Sequence, residues 1–318
     1  MLVFILISGL MVGILSGMLG IGGGILITPI LLYIPTLLGL PTLSMKAITG
    51  LTMVQGLVGS ASGFLAHRRY HTVNVKLILW MGPAIIISSF MGAHLSKFLA
   101  DNLLMAIFAG LALAASLLIL VNRKESSNGY EMTDLHFNRP VSVIIAITVG
   151  FTGGLVGQGG SFILVPALIN ILGIPTRLAL GSNLGIVLLS SLAGLSGKIS
   201  AGLVEPLPAL ALIAGVIPGA QLGGFLSQRI NKDILKKILA VVIVLTSLRI
   251  WWTVLEVKII AFITSIPADL ILLYMISSIG LILSIINTGL FIWLVRKHAK
   301  VKKQKEHDKA VQDSGLMM

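Results

Sequence analysis

Gly13-Ile-Leu-Ser-Gly17-Met-Leu-Gly20-Ile-Gly22-Gly23-Gly24-Ile-Leu-Ile-Thr-Pro29 returns 137 residues later as Gly150-Phe-Thr-Gly-Gly154-Leu-Val-Gly157-Gln158-Gly159-Gly160-Ser161-Phe-Ile-Leu-Val-Pro166. Five glycines and one proline coincide in register. Both copies lie within strongly apolar sequence. Glycine has no side chain to restrict its backbone, so a cluster of glycines weakens a helix where it falls. An interruption at the same place in two halves of an apolar chain is the sequence signature of a binding site near the middle of a membrane.

Composition sets the class. Of 318 residues, 56% are apolar and 11% charged, whereas a soluble domain carries about 25% charged residues. Leu77–Leu95, Leu103–Val121, Leu178–Gly197, Leu207–Leu226 and Ile238–Trp252 run almost without charge, at or near the roughly 20 residues that cross a bilayer. The expected fold class is therefore an all-α polytopic membrane protein of the cell membrane. The N-terminus lacks a basic leader and a small-residue cleavage site, and it reads as part of the mature chain. There is no cysteine, so disulfides, thiol catalysis and thiolate metal sites are excluded. A net charge of +12 would suggest nucleic acid in a soluble protein. Here the charges fall in loops and tail, where they orient a chain in the bilayer, and no nucleic-acid partner is expected.

The chain divides into two similar halves. Residues 1–121 form a first transmembrane repeat, a Gly-broken stretch followed by three spans. A polar linker, 122–139, separates it from a second repeat, 140–254, with the same plan. Residues 255–297 form an extra C-terminal membrane element, read as one further span, and 298–318 a basic flexible tail.

Charge tests whether the broken stretches cross the membrane or re-enter. If every segment crosses, with the C-terminal element crossing once, the basic loops at Arg68–Arg69 and at Arg229–Lys237 fall on opposite sides. If each Gly-rich stretch is a hairpin returning to its own side, each half crosses three times and the second half is inverted. Then 18 Lys and Arg lie inside, with Lys46, Lys97, Lys198, Arg249 and Lys258 outside, in keeping with the positive-inside bias. A ten-span arrangement without hairpins also puts most charge inside if the C-terminal element crosses twice. Inverted repeats are the reading adopted.

The chemistry follows from the breaks. Non-helical backbone at membrane depth must line a cavity or pack on protein. New helices are expected to start at Gly24–Ile25 and Ser161–Phe162, and their first N–H groups carry partial positive charge suited to an anion. The candidate substrate-binding residues are Gly20, Gly22, Gly23, Gly24, Gly157, Gly159 and Gly160 for backbone, and Gln158, Ser161, Thr49, Thr52, Ser182 and Asn183 for side chains. Gln55 and Gln221 are further polar groups in or near spans. Neither motif carries Lys or Arg, so the expected site uses dipoles and neutral donors. Each feature also has a plainer reading. The GxxxG spacing of Gly9, Gly13 and Gly17 serves close helix packing, and membrane Ser and Thr often bond their own backbone. His94, near a span end, reads as an interfacial group rather than a ligand. Gly20-Ile-Gly22 and Gly157-Gln158-Gly159 lack the final glycine and the βαβ context of a dinucleotide site.

The patterns GxxxGxxGxGGGxxxxP and GxxxGxxGQGGSxxxxP resemble the sulfite exporter TauE/SafE family over about residues 5–252. The segments Leu40-Pro41-Thr42 through Ala47 and Ile174-Pro175-Thr176-Arg177-Leu178-Ala179-Leu180-Gly181-Ser182-Asn183 fit as well. The resemblance implies transport of sulfur-containing or organic anions, such as sulfite, sulfoacetate or related sulfonates. No cofactor or metal is expected, the expected partners are a small anion and the lipid bilayer, and homo-oligomerisation stays open. The ending from Leu255 departs from the usual shorter one. An anion channel or a non-transporting membrane partner is the alternative. A membrane enzyme would need clustered His, Asp or Glu at depth. The eleven acidic residues all fall in loops, turns, span ends or tail, which also leaves no carboxylate proton relay.

Overall fold

A chain segment in lipid must close its own backbone hydrogen bonds, and a helix does so within the segment. The computed structural model describes residues 1–19, 24–69, 73–120, 137–158, 160–226, 241 and 243–255, and among these every regular element is helical. They are α1 (Leu2–Leu19), α2 (Gly24–Leu37), α3 (Met45–Arg69), α4 (Val75–Leu95) with a 3-10 turn at Ser96–Phe98, and α5 (Asp101–Leu120). The second half holds α6 (Arg139–Val156), α7 (Ser161–Asn170), α8 (Thr176–Ser200) and α9 (Pro206–Leu226), followed by α10 (Ile243–Leu255). Five stretches are long and apolar enough to cross a membrane: Met45–Leu65, Val75–Phe98, Arg139–Val156, Leu178–Ser200 and Pro206–Gly223. α1, α2, α5 and α10 are shorter apolar helices. The extra C-terminal element beyond Leu255, the tail, and linker residues 122–136 lie outside the described residues.

Local chemistry sets the helix ends. Asn74 caps α4, its side chain accepting from the Leu77 N–H at 3.0 Å. Asn138 caps α6 through Val141, with Pro140 in the first turn. α6 stops at Gly157, whose φ of 82° is left-handed, and the Gln158 N–H folds back to the Gly153 carbonyl at 2.9 Å. This is the turn by which glycine closes a helix C-terminus. Gly160, at φ 78°, then precedes α7.

Contacts give the helix directions. α3 and α8 are antiparallel, with Gly50 near Leu203, Gly56 near Ser191 and Gly63 near Leu184. α4 runs with α8: the Asn74 N–H donates to Ser182 Oγ (2.9 Å), Ser89 Oγ donates to the Ser190 carbonyl (2.8 Å), and His94 Nδ1 pairs with Ser200 Oγ (3.0 Å). α6 also runs with α4. Arg139 lies 4.8 Å from the Trp80 ring centroid, Ser88 Oγ donates to the Ala146 carbonyl at 3.3 Å, and Gly154 abuts Ser89 and Ala93. At one end of the bundle the Met45 N–H donates to Asp101 Oδ2 (2.8 Å) and Lys46 Nζ to the Lys97 carbonyl (2.8 Å). α1, α3, α5 and α9 begin at this Lys46 end, and α2, α4 and α8 finish there. α4, α6 and α8 begin at the opposite, Arg139 end.

Glycine decides the closest contacts. A Cβ at Gly9 would sit 2.8 Å from the Leu212 carbonyl oxygen, and one at Gly13 2.7 Å from that of Val216, while Gly215 and Gly219 of α9 face the carbonyls of Leu6 and Leu10. α4 and α6 mesh in the same way through Gly92, Gly150 and Gly154. Small residues that let backbones touch are the usual means of joining helices in lipid, where burial from water gives no drive.

Candidate functional site

The site is built around the first turn of α2. Gly24 is buried, and the N–H groups of that turn have no partner within the helix. Thr28 Oγ1 donates to the Gly24 carbonyl at 3.2 Å, and Gln158 Nε2 donates to Thr28 Oγ1 at 3.3 Å. A Cβ on Gly24 would stand 3.4 Å from Gln158 Cγ and 3.5 Å from Gln55 Oε1. The two glutamines, from α3 and from the turn after α6, therefore flank the start of α2. Both are 1% exposed. Gln55 Oε1 and Nε2 and Gln158 Oε1 have no partner among the described residues. A buried polar atom left so costs about 1–3 kcal/mol, which favours any ligand able to satisfy it.

Gly157 joins this cluster to α3. A Cβ there would collide with the Thr49 carbonyl and Thr52 Oγ1, so only glycine lets the tip of α6 lie on α3. Thr49 and Thr52 are buried, and their hydroxyls donate to the carbonyls of Lys46 (2.8 Å) and Thr49 (3.0 Å). Ser182 is engaged elsewhere, accepting from the Asn74 N–H at the Arg139 end. Asn183 is buried with neither amide atom partnered among the described residues. One helical stripe of α8 carries Asn183, Ser190, Ser191 and Lys198. Ser161 is the first residue of α7. Gly20, Gly22, Gly23 and Gly159 lie outside the described residues. Gln221 is exposed.

One residue departs from expectation. Lys198, counted from the sequence among charges at the membrane surface, is 0% exposed. Its Nζ donates to Ser96 Oγ (2.6 Å), Thr49 Oγ1 (2.7 Å) and the Leu155 carbonyl (3.0 Å). Lysines two residues from a span end usually extend toward water. This one lies against α3 and the tip of α6 instead, so the polar interior contains a cation that the motifs themselves lack. Thr28 and Gln55 also enter the cluster. A polar residue inside an apolar run was the only sequence signal for either.

Helices that cross a membrane, around buried polar side chains at helix ends, define a multi-pass membrane protein with a polar interior. The family model for the sulfite exporter TauE/SafE matches residues 5–250. The chain belongs to that family of membrane transporters. It is 28% identical over 260 residues to the probable membrane transporter protein YunE of Bacillus subtilis (strain 168), covering 76% of this chain and 94% of that one. It is 25% identical over 249 residues to the probable membrane transporter protein MJ0441 of Methanocaldococcus jannaschii, covering 76% and 91%. No solved structure matches.

Proposed function

We propose that the chain transports small anions of the sulfite and organosulfonate class, bound at the start of α2 between Gln55 and Gln158. The observation that carries this reading is the convergence of two buried glutamines, Gln55 with its amide N–H open, on a helix N-terminus. The helix start contributes N–H donors and positive potential, and the Gln55 amide adds a donor. Among the described residues no carboxylate is buried to repel an anion. The family description, which names sulfite, points to the same chemistry.

The transport cycle we infer uses two inverted repeats, residues 1–121 and 140–254. The pair α1–α2 begins and ends at the Lys46 end. The pair α6–α7 begins at the Arg139 end and is followed by α8, which begins there too. Each pair thus returns to the face it starts from, the two from opposite faces, as inverted repeats require, although α6 is itself long enough to cross. The two hairpins also pack alike, α1 on α9 and α6 on α4, each on the second long helix after the hairpin of the other repeat. The Arg139 end is cytoplasmic by the positive-inside bias. A monoanion leaving an inside-negative cell gains about 2.3 kcal/mol per 100 mV, enough to drive export without a proton relay.

Thermal unfolding of the purified protein with sulfite, sulfoacetate and chloride tests the ligand. A ligand at about 100 times its Kd stabilises the folded state by roughly 2.7 kcal/mol. An anion that stabilises should also show saturable flux in vesicles; non-saturating flux would mean a channel. No stabilisation by any anion of the class would remove the reading.

A further inference from the structure

Lys198 is the one charged side chain buried among the described residues, and it faces no carboxylate. The hydroxyl hydrogens of Thr49 and Ser96 are already given to the carbonyls of Lys46 (2.8 Å) and Ala93 (2.6 Å). Both oxygens can therefore only accept from Nζ, as the Leu155 carbonyl must. Three acceptors match the three hydrogens of an ammonium, with every donor occupied. A full charge buried without a counter-ion is expensive, and a neutral amide or hydroxyl could tie the same helices together at less cost. What the lysine adds is the charge. Its partners lead directly to the anion site: Leu155 lies three residues before Gln158, and the Thr49 carbonyl and Thr52 hydroxyl pack on Gly157.

We propose that Lys198 is the specificity-determining charge of the anion site, acting through its field on a ligand otherwise held by neutral groups. With its donors saturated it does not contact the anion. It raises the potential beside Gln158 and holds the tip of α6 on α3 and on the Ser96 turn. The inference rests on the site proposed between Gln55 and Gln158. It deepens that reading by assigning the discrimination of an anion from a neutral isostere to a residue outside the contact shell.

The test is titration of methanesulfonate against its neutral isostere methanesulfonamide, both on the full-length protein. Lys198→Gln is expected to cut the preference for the sulfonate by about tenfold or more, the scale of one charge acting over several ångströms of protein interior. Lys198→Arg keeps the charge and should keep the preference. Ser96→Ala removes a hydrogen bond but no charge, so any loss of affinity should fall on both ligands alike. Ser96→Asp neutralises the ammonium in place and should reproduce Lys198→Gln, which covers the case where Lys198→Gln does not fold. A preference unchanged in Lys198→Gln or Ser96→Asp overturns the proposal. So does a loss in Ser96→Ala as large as theirs, because position rather than charge would then decide. Gln55→Leu and Gln158→Leu separate the two readings. If they weaken sulfonate binding while the Lys198 and Ser96 variants keep the preference, the site stands and the charge assignment falls. If they leave binding unchanged, the site itself is misplaced.

Discussion

Gln158 stands where the first repeat has Ile21, and the difference concentrates side-chain hydrogen bonding in the second break. Gln158 reaches across to Thr28 at 3.3 Å, so one residue of the second half completes the helix start of the first. Gln158→Leu and Gln55→Leu should each weaken binding of the best anion about 5- to 150-fold, the equivalent of roughly 1–3 kcal/mol for a lost buried hydrogen bond. Ile21→Leu should be near neutral. Isothermal titration of purified variants measures this, and equal affinities throughout would take both glutamines out of the site. Ser182→Ala should leave affinity nearly unchanged, because its hydroxyl serves the start of α4. Its effect should appear instead as a melting temperature a few degrees lower.

Helix–helix contact is where most of the glycines act. Gly13→Val would drive a branched side chain into the α9 backbone, where even a Cβ stands 2.7 Å from the Val216 carbonyl oxygen. Overpacking of this kind costs about 1–3 kcal/mol or more. The fraction of protein recovered monodisperse in detergent should fall, while surviving protein binds anions normally. Gly160→Val is different. At φ 78° a side chain is strained, and its Cβ would meet Val149 of α6. We expect both yield and binding to drop, with Gly160→Ala intermediate in each. Normal binding by folded Gly160→Val would separate the α6–α7 turn from the site. Of these packing roles, the spacing of Gly9, Gly13 and Gly17 was readable from sequence; which helix they meet was not, since α9 lies about 200 residues away in the chain.

At the scale of the whole molecule, the proposed inverted arrangement makes a sidedness prediction. The chain has no cysteine of its own, so single cysteines report cleanly. Thr42→Cys and Glu205→Cys occupy exposed positions at the Lys46 end, and Lys76→Cys and Pro140→Cys exposed positions at the Arg139 end. An impermeant thiol reagent added outside intact cells should label the first two and spare the second two until the membrane is opened. Labelling of Thr42→Cys together with Lys76→Cys would contradict the helix directions. Labelling of only the second pair would reverse the assignment of the cytoplasmic face.

Sequence alone determined the features that depend on local composition. Long apolar runs must be helices in lipid, and glycine clusters mark where they break. The pairing of the two Gly-rich segments was visible because the same local need arose twice. Only the tertiary structure decided which polar groups meet. The duplicated motif put Gly24 and Gln158 in one candidate site, but that Gln55 of α3 meets them there followed only from the packing. Lys198 shows the limit most clearly. A lysine two residues from the end of a span reads as a surface group, because its long stem allows the ammonium to reach water. Three acceptors from α3, the Ser96 turn and the tip of α6 hold it inside instead, and those acceptors come together only when the helices pack.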